Sequence, residues 1–209
     1  ILKKKGKKPI ICLTAYSKPM AEILDKYCDV ILVGDSVGMV LYGMKTTREV
    51  KFDTMILHGK TVKSSAKRSL VVFDMPYTTY SSKFIAYKNA KKVMKLTKCD
   101  AVKLEGGKKI CNIIKYLTKK GIPVMGHIGL LPQSTSSFKL RGKSFFEKKK
   151  ILDDAISLSN SGVFAIVIEC VVESLAKEIT NKISVPTIGI GASKYCDGQI
   201  LVTDDIIGL

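Results

Sequence analysis

The sequence predicts an α/β protein: a single (β/α)8 TIM barrel domain over residues 1–209. Three observations predict it. Short apolar runs alternate with helical patterns along the whole chain, joined by short links, as right-handed βαβ units on a parallel sheet require. There are eight such runs, the number that closes a barrel. No Gly-rich turn follows the first run, which counts against the rival, an open doubly wound sheet.

Residues 9–16 (PIICLTAY) read as the first strand. A helix over 19–27 follows, with Pro19 in its first turn. The second strand, 30–35 (VILVGD), is apolar without alternation, as expected where both faces are covered. Gly38 and Gly43 mark 36–51 as a loop, and Asp53 reads as the cap of a helix over 53–64. The third strand, 70–74 (LVVFD), is stopped by Met75-Pro76. A helix over 83–97, a strand over 101–105 and a helix over 108–119 follow. The fifth strand is 123–129 (PVMGHIG), succeeded by a polar loop over 130–144 and a helix over 145–160. Strand six is 164–170 (FAIVIEC), then a helix over 173–182, strand seven at 186–191 and strand eight at 199–203. No closing C-terminal helix is expected after it in this chain.

Composition narrows the function classes. With 46% hydrophobic and 25% charged residues the chain reads as globular. No apolar run is long enough to span a bilayer, and no secretory signal is evident at an N-terminus that reads as trimmed. The net charge is +17, yet every basic residue except Arg48, Arg68 and Arg141 is lysine. Arginine is the better fork for phosphates and base edges, and the lysines are scattered, so neither nucleic acid nor membrane is an expected partner. Cys12, Cys28, Cys99, Cys111, Cys170 and Cys196 show no CxxC pair or zinc spacing; they read as buried thiols of a cytoplasmic, reducing compartment.

The stretch Val102-Lys103-Leu104-Glu105-Gly106-Gly107 is the centre of the sequence. Lys103 and Glu105 are two apart, so on a strand they face the same side, and burying them demands partners. Barrel active sites lie at the C-terminal ends of the strands. There the second strand runs into Asp35-Ser36, the third ends in Asp74, and the fourth ends in Glu105. A lone aspartate at a strand end is ordinarily a turn former or a cap. Three acids on successive strands are expected to converge and to need a neutralising ion. An all-oxygen set suits Mg2+, whose open face would chelate a 2-oxo acid. Glu169, inside an apolar run, suits general acid–base work, or else pairs with a lysine. His127 is either catalytic or a polar core residue that positions a neighbour. His58 is expected at the surface of its helix.

These residues carry a resemblance to the ketopantoate hydroxymethyltransferase family, which makes the first committed step of pantothenate synthesis. The matching stretches are Leu13-Thr14-Ala15-Tyr16, Val33-Gly34-Asp35-Ser36, Asp74-Met75-Pro76 and Val102 to Gly107. Further along come Gly126-His127-Ile128-Gly129-Leu130 with Pro132-Gln133-Ser134, and Ile168-Glu169-Cys170. The last are Ile188-Gly189-Ile190-Gly191-Ala192 and Asp197-Gly198-Gln199. The resemblance implies a TIM barrel of the phosphoenolpyruvate/pyruvate superfamily type and a homo-oligomer, a decamer of two pentameric rings. It implies Asp35, Asp74 and Glu105 as magnesium ligands, and Asp35, Ser36, Asp74 and Lys103 as contacts of the 2-oxo acid. It implies Glu169 as the catalytic base; His127 stays, on its own chemistry alone, a candidate for a supporting place. The implied reaction joins 3-methyl-2-oxobutanoate to the one-carbon unit of 5,10-methylenetetrahydrofolate, giving 2-dehydropantoate. Two departures stand out: Ser17 where the family usually has aspartate, and Val172 where proline is common. The competing readings are a Mg2+-dependent lyase or mutase of the same superfamily, and a basic barrel that binds nucleic acid.

Overall fold

A computed structural model describes residues 1–135 and 137–209. Its strands are β1 (Ile10–Thr14), β2 (Val30–Val33), β3 (Leu70–Asp74), β4 (Ala101–Glu105), β5 (Val124–Gly129), β6 (Ala165–Glu169), β7 (Thr187–Ile190) and β8 (Gly198–Leu201). The strand order is β1 to β8 in sequence, closed into a barrel. Every described ladder is parallel, including Asp74 opposite Lys103 across β3 and β4. β2 and β4 are buried at every position, whereas β1 and β8 alternate, leaving Ile11 and Leu201 about half exposed.

The helices are α1 (Lys18–Leu24), α2 (Val37–Tyr42), α3 (Phe52–Ser65), α4 (Lys83–Thr97), α5 (Cys111–Lys119), α6 (Phe145–Ser159), α7 (Glu173–Lys182) and α8 (Thr203–Ile207). Ser17, Ser82 and Ser144 cap α1, α4 and α6 by accepting the backbone N–H three residues on. At α6 the Glu147 carboxylate reaches back past the cap to accept the N–H groups of Gly142 and Lys143. Four expectations are corrected. The loop expected over 36–51 contains α2 and a short 3-10 turn at Thr47–Glu49, with Gly43 ending α2 in the left-handed region at φ 62°. Asp53 lies inside the first turn of α3, whose cap position is Lys51, without a side-chain cap bond. The helix expected from 108 begins as a 3-10 turn at Lys108–Ile110 before α5. A five-residue helix, α8, does follow β8. The loop expected over 130–144 includes residue 136, which lies outside the described residues.

By internal contacts the chain forms two compact units, Ile1–Ile10 with Leu104–Gln199, and Ile11–Lys103 with Ile200–Leu209. The first centres on side chains such as Leu104, Ile114, Met125, Ile128 and Leu158, all fully buried. The second centres on Ile31, Met55, Phe73 and Met75. Within it Gly59 lets α3 approach β3, since a Cβ there would press on the Phe73 ring.

Candidate active site

In the unit built on 11–103, β2 runs into Gly34-Asp35-Ser36 and β3 ends on Asp74. Asp35, Asp74 and Lys103 are all buried. The Lys103 ammonium donates to both Asp74 carboxylate oxygens, at 2.8 and 2.7 Å. A buried charge left alone would cost several kcal/mol, so this two-pronged contact holds both side chains in place. Ser36 opens α2, and its Oγ lies 2.7 Å from the Tyr16 hydroxyl.

In the unit built on 104–199, Glu105 ends β4 and is buried. Its Oε2 accepts the backbone N–H of Gln133 at 3.0 Å. His127, on β5 and 1% exposed, sits between two acids. Its Nδ1 is 3.5 Å from Glu105 Oε1 and its Nε2 is 3.2 Å from Glu169 Oε2. The Glu169 side chain is the more open member, 18% exposed. The turn after Glu105 is held by the Gly106 N–H donating to the His127 carbonyl, and by Asp154 accepting the Lys108 N–H at 2.7 Å. Gly107 is required there, because a Cβ would collide with the Asp154 carboxylate.

The chain after β5 is stitched to the strand that carries Glu169. Leu130 N–H donates to the Glu169 carbonyl at 2.8 Å, and Arg141 N–H donates to the Cys170 carbonyl at 2.7 Å. Gly129 makes the first contact possible: it takes φ 93°, and a Cβ would strike the Glu169 carbonyl. Val172 has a φ of −53°, which proline would also adopt, and its N–H donates to the Arg141 carbonyl. Ser17 caps α1, the work an aspartate would do there.

Asp35 and Asp74 in one unit, and Glu105 in the other, are buried carboxylates, and carboxylate oxygen is the kind of donor that Mg2+ takes. Among the described residues, no three His, Cys, Asp or Glu side chains are gathered into a metal-holding group. Asp74 faces Lys103, and Glu105 faces Gln133 and His127. The cysteines form no disulfide. Burial pushes the Cys28 and Cys99 thiols up to about 11, so they are poor nucleophiles.

Three residues of this region carry no signal of their own in the sequence. Gln133 is visible there only inside a matching motif, and Tyr16 only as a strand end. His58, expected at the surface, is instead half-buried, with Nδ1 2.7 Å from the Tyr16 carbonyl and Nε2 2.8 Å from the Tyr42 hydroxyl.

The family model described as Ketopantoate hydroxymethyltransferase matches residues 1–209. The chain belongs to that family. It is 59% identical over 208 residues to the 3-methyl-2-oxobutanoate hydroxymethyltransferase of Pelagibacter ubique (strain HTCC1062), covering 100% of this chain and 81% of that relative. It is 55% identical over 209 residues to the enzyme of the same name from Rhizobium etli, covering 98% of this chain and 77% of the relative. Membership makes the chain an enzyme, a hydroxymethyltransferase of one-carbon units.

Solved structures share the barrel. Phosphonopyruvate hydrolase, in a complex with oxalate and Mg++, has a TM-score of 0.73 at 10% identity, covering 96% of this chain and 77% of that one. The triclinic form of 2,3-dimethylmalate lyase, a PEP mutase/isocitrate lyase superfamily member, has a TM-score of 0.72 at 11% identity, covering 99% and 80%. Identities this low establish the fold alone, a TIM barrel. No helix among the described residues is long and apolar enough to cross a membrane.

Proposed function

We propose that residues 1–209 act as one barrel domain that enolises 3-methyl-2-oxobutanoate with Mg2+. The domain then transfers to it the one-carbon unit of 5,10-methylenetetrahydrofolate, and water supplies the new hydroxyl. The products are 2-dehydropantoate and tetrahydrofolate. The observation that carries this reading is His127 seated between Glu105 and Glu169, at 3.5 and 3.2 Å. An imidazole within 3.2 Å of a glutamate that is 18% exposed is a means of placing a proton acceptor against a substrate carbon.

In this reading Asp35, Asp74 and Glu105 hold Mg2+. The ion supplies Lewis-acid polarisation of the keto acid. Ser36 and Lys103 orient the substrate with Asp35 and Asp74, and the Lys103 ammonium offsets negative charge developing on the 2-oxo oxygen. Glu169 takes the proton from C3, and the electron pair of that bond attacks the folate methylene carbon as the first of its two C–N bonds breaks; water then displaces the second nitrogen, which leaves with a proton as tetrahydrofolate. His127 keeps Glu169 turned toward C3. A soluble cytoplasmic homo-oligomer acting on small molecules, a decamer by the family resemblance, without nucleic acid or membrane partners, belongs to the same reading.

The test is hydrogen exchange at C3 of 3-methyl-2-oxobutanoate in D2O, followed by NMR without folate. Exchange that requires Mg2+ and is lost in EDTA supports the proposal. Exchange indifferent to Mg2+ overturns the metal's part, and folate-independent cleavage of a 2-oxo or 2-hydroxy acid would favour a lyase.

A further inference from the structure

We infer that His58 is a positioning residue for the keto acid: through Tyr16 it sets the direction of the Ser36 hydroxyl. The inference rests on the proposed reading of Ser36 as a substrate contact. Three short contacts make the chain. His58 Nδ1 is 2.7 Å from the Tyr16 carbonyl, the Tyr16 hydroxyl is 2.7 Å from Ser36 Oγ, and His58 Nε2 is 2.8 Å from the Tyr42 hydroxyl. A carbonyl only accepts, so Nδ1 must carry a hydrogen. In the neutral ring Nε2 then accepts from Tyr42, which leaves a single tautomer bonded at both ends.

The geometry makes this more than bracing. Ser36 stands at the cap of α2, yet its side chain makes no cap bond to the helix. A serine at that place would ordinarily turn its hydroxyl onto a helix N–H. Here the oxygen lies against Tyr16, which is 5% exposed. Burial pushes the Tyr16 phenol up to about 12, while bonding to the Ser36 and Thr14 side chains pulls the other way. The phenol therefore keeps its proton across the neutral range. His58 holds the Tyr16 main chain from α3 and the far end of α2 through Tyr42, so it fixes both the tyrosine and the helix that Ser36 begins. Edge-on ring contacts of Tyr16 and Tyr42 with the His58 imidazole close the cluster.

The experiment measures steady-state kinetics, calorimetric binding of 3-methyl-2-oxobutanoate with Mg2+ present, and urea unfolding, on the full chain. Tyr16→Phe and His58→Leu are each expected to raise KM and Kd for the keto acid about fivefold, the weight of one hydrogen bond, with kcat little changed. His58→Asn should recover most of this, because its amide N–H stands where Nδ1 stood. In a Ser36→Ala background, Tyr16→Phe should add nothing. A full Tyr16→Phe effect in that background overturns the relay, as does a His58→Leu variant that loses stability without moving Kd. Ser36→Ala with unchanged Kd overturns the substrate contact itself, and the relay with it. Imidazole 15N NMR gives an independent reading: a His58 Nδ1 without hydrogen overturns the assignment.

Discussion

The acids at the two ends of the strands use the same side chains differently. At the N-terminal ends they grip main chain. Asp25, in the link before β2, accepts the N–H groups of Lys67, Arg68 and Ser69 at 2.7–3.1 Å. Asp29 accepts from Ile11, and Asp100 accepts from Val71 while the Lys63 ammonium pairs with both its oxygens, at 2.9 and 2.7 Å. Asp197 accepts from Gly6 and Thr187 while Lys5 pairs with it. At the C-terminal ends the acids face other side chains: Asp74 meets Lys103, and Glu169 meets His127. A backbone N–H cannot swing away or change its proton, so the first set locks neighbouring strands together. A lysine or imidazole partner can rotate and exchange protons, so the second set stays available for chemistry. Glu105 stands between the two kinds, with a backbone donor on one oxygen and an imidazole beside the other.

That contrast can be broken. The largest effect is expected from Glu169→Gln, which should slow C3–H exchange by roughly 10²–10⁴-fold while leaving the urea midpoint in place. Wild-type exchange in this variant would move the base elsewhere. Next, Lys103→Met in metal-free protein leaves Asp74 buried without this partner and should cost about 3–5 kcal/mol in urea unfolding. Adding Asp74→Leu should recover most of that stability and none of the activity. If the pair acted only as a strand lock, activity would return with the fold.

Asp25→Ala sharpens the comparison from the other end. Three N–H groups lose their acceptor, an expected loss of about 2–3 kcal/mol, with kcat per folded molecule unchanged. Its pH dependence has a definite sign. Burial pushes the Asp25 carboxyl up, but the backbone donors of Ser69, Lys67 and Arg68 outweigh it and hold it at about 2, below its ordinary 3.8. The folded form therefore favours the ionised acid. That stability is present in full above the ordinary value and is lost as pH falls toward 2. Acid titration of unfolding should show this loss in the wild type and not in Asp25→Asn. The smallest effect belongs to Asp53→Ala, within about 0.5 kcal/mol by urea unfolding, because Asp53 does not cap α3 and its contact with Lys92 is exposed.

Much of the barrel is legible in the sequence. β3, α4, β4 and α7 have the expected bounds, because each joins an unbroken apolar run or a helical pattern to a clear stop. α2 is hidden because Gly38 and Gly43 look like loop residues. Gly38 is needed inside the helix, where a Cβ would press on Val50 and Met44, and Gly43 is its left-handed terminus. Asp53 misleads because an acid near a helix start has the same pattern at the cap and one turn in.

The order of the strands, the strand-end acids and the family were determined by local sequence alone, since periodicity and motif spacing are properties of neighbours along the chain. Only the fold decided which partner each polar group meets. Lys103 turns to Asp74 across a ladder, His127 falls between Glu105 and Glu169, and the half-buried His58 meets the Tyr16 carbonyl. The lysine and its aspartate are 29 positions apart, and His58 and Tyr16 are 42 apart. Neither separation follows from a strand or helix period, so no pattern along the chain could announce these pairs.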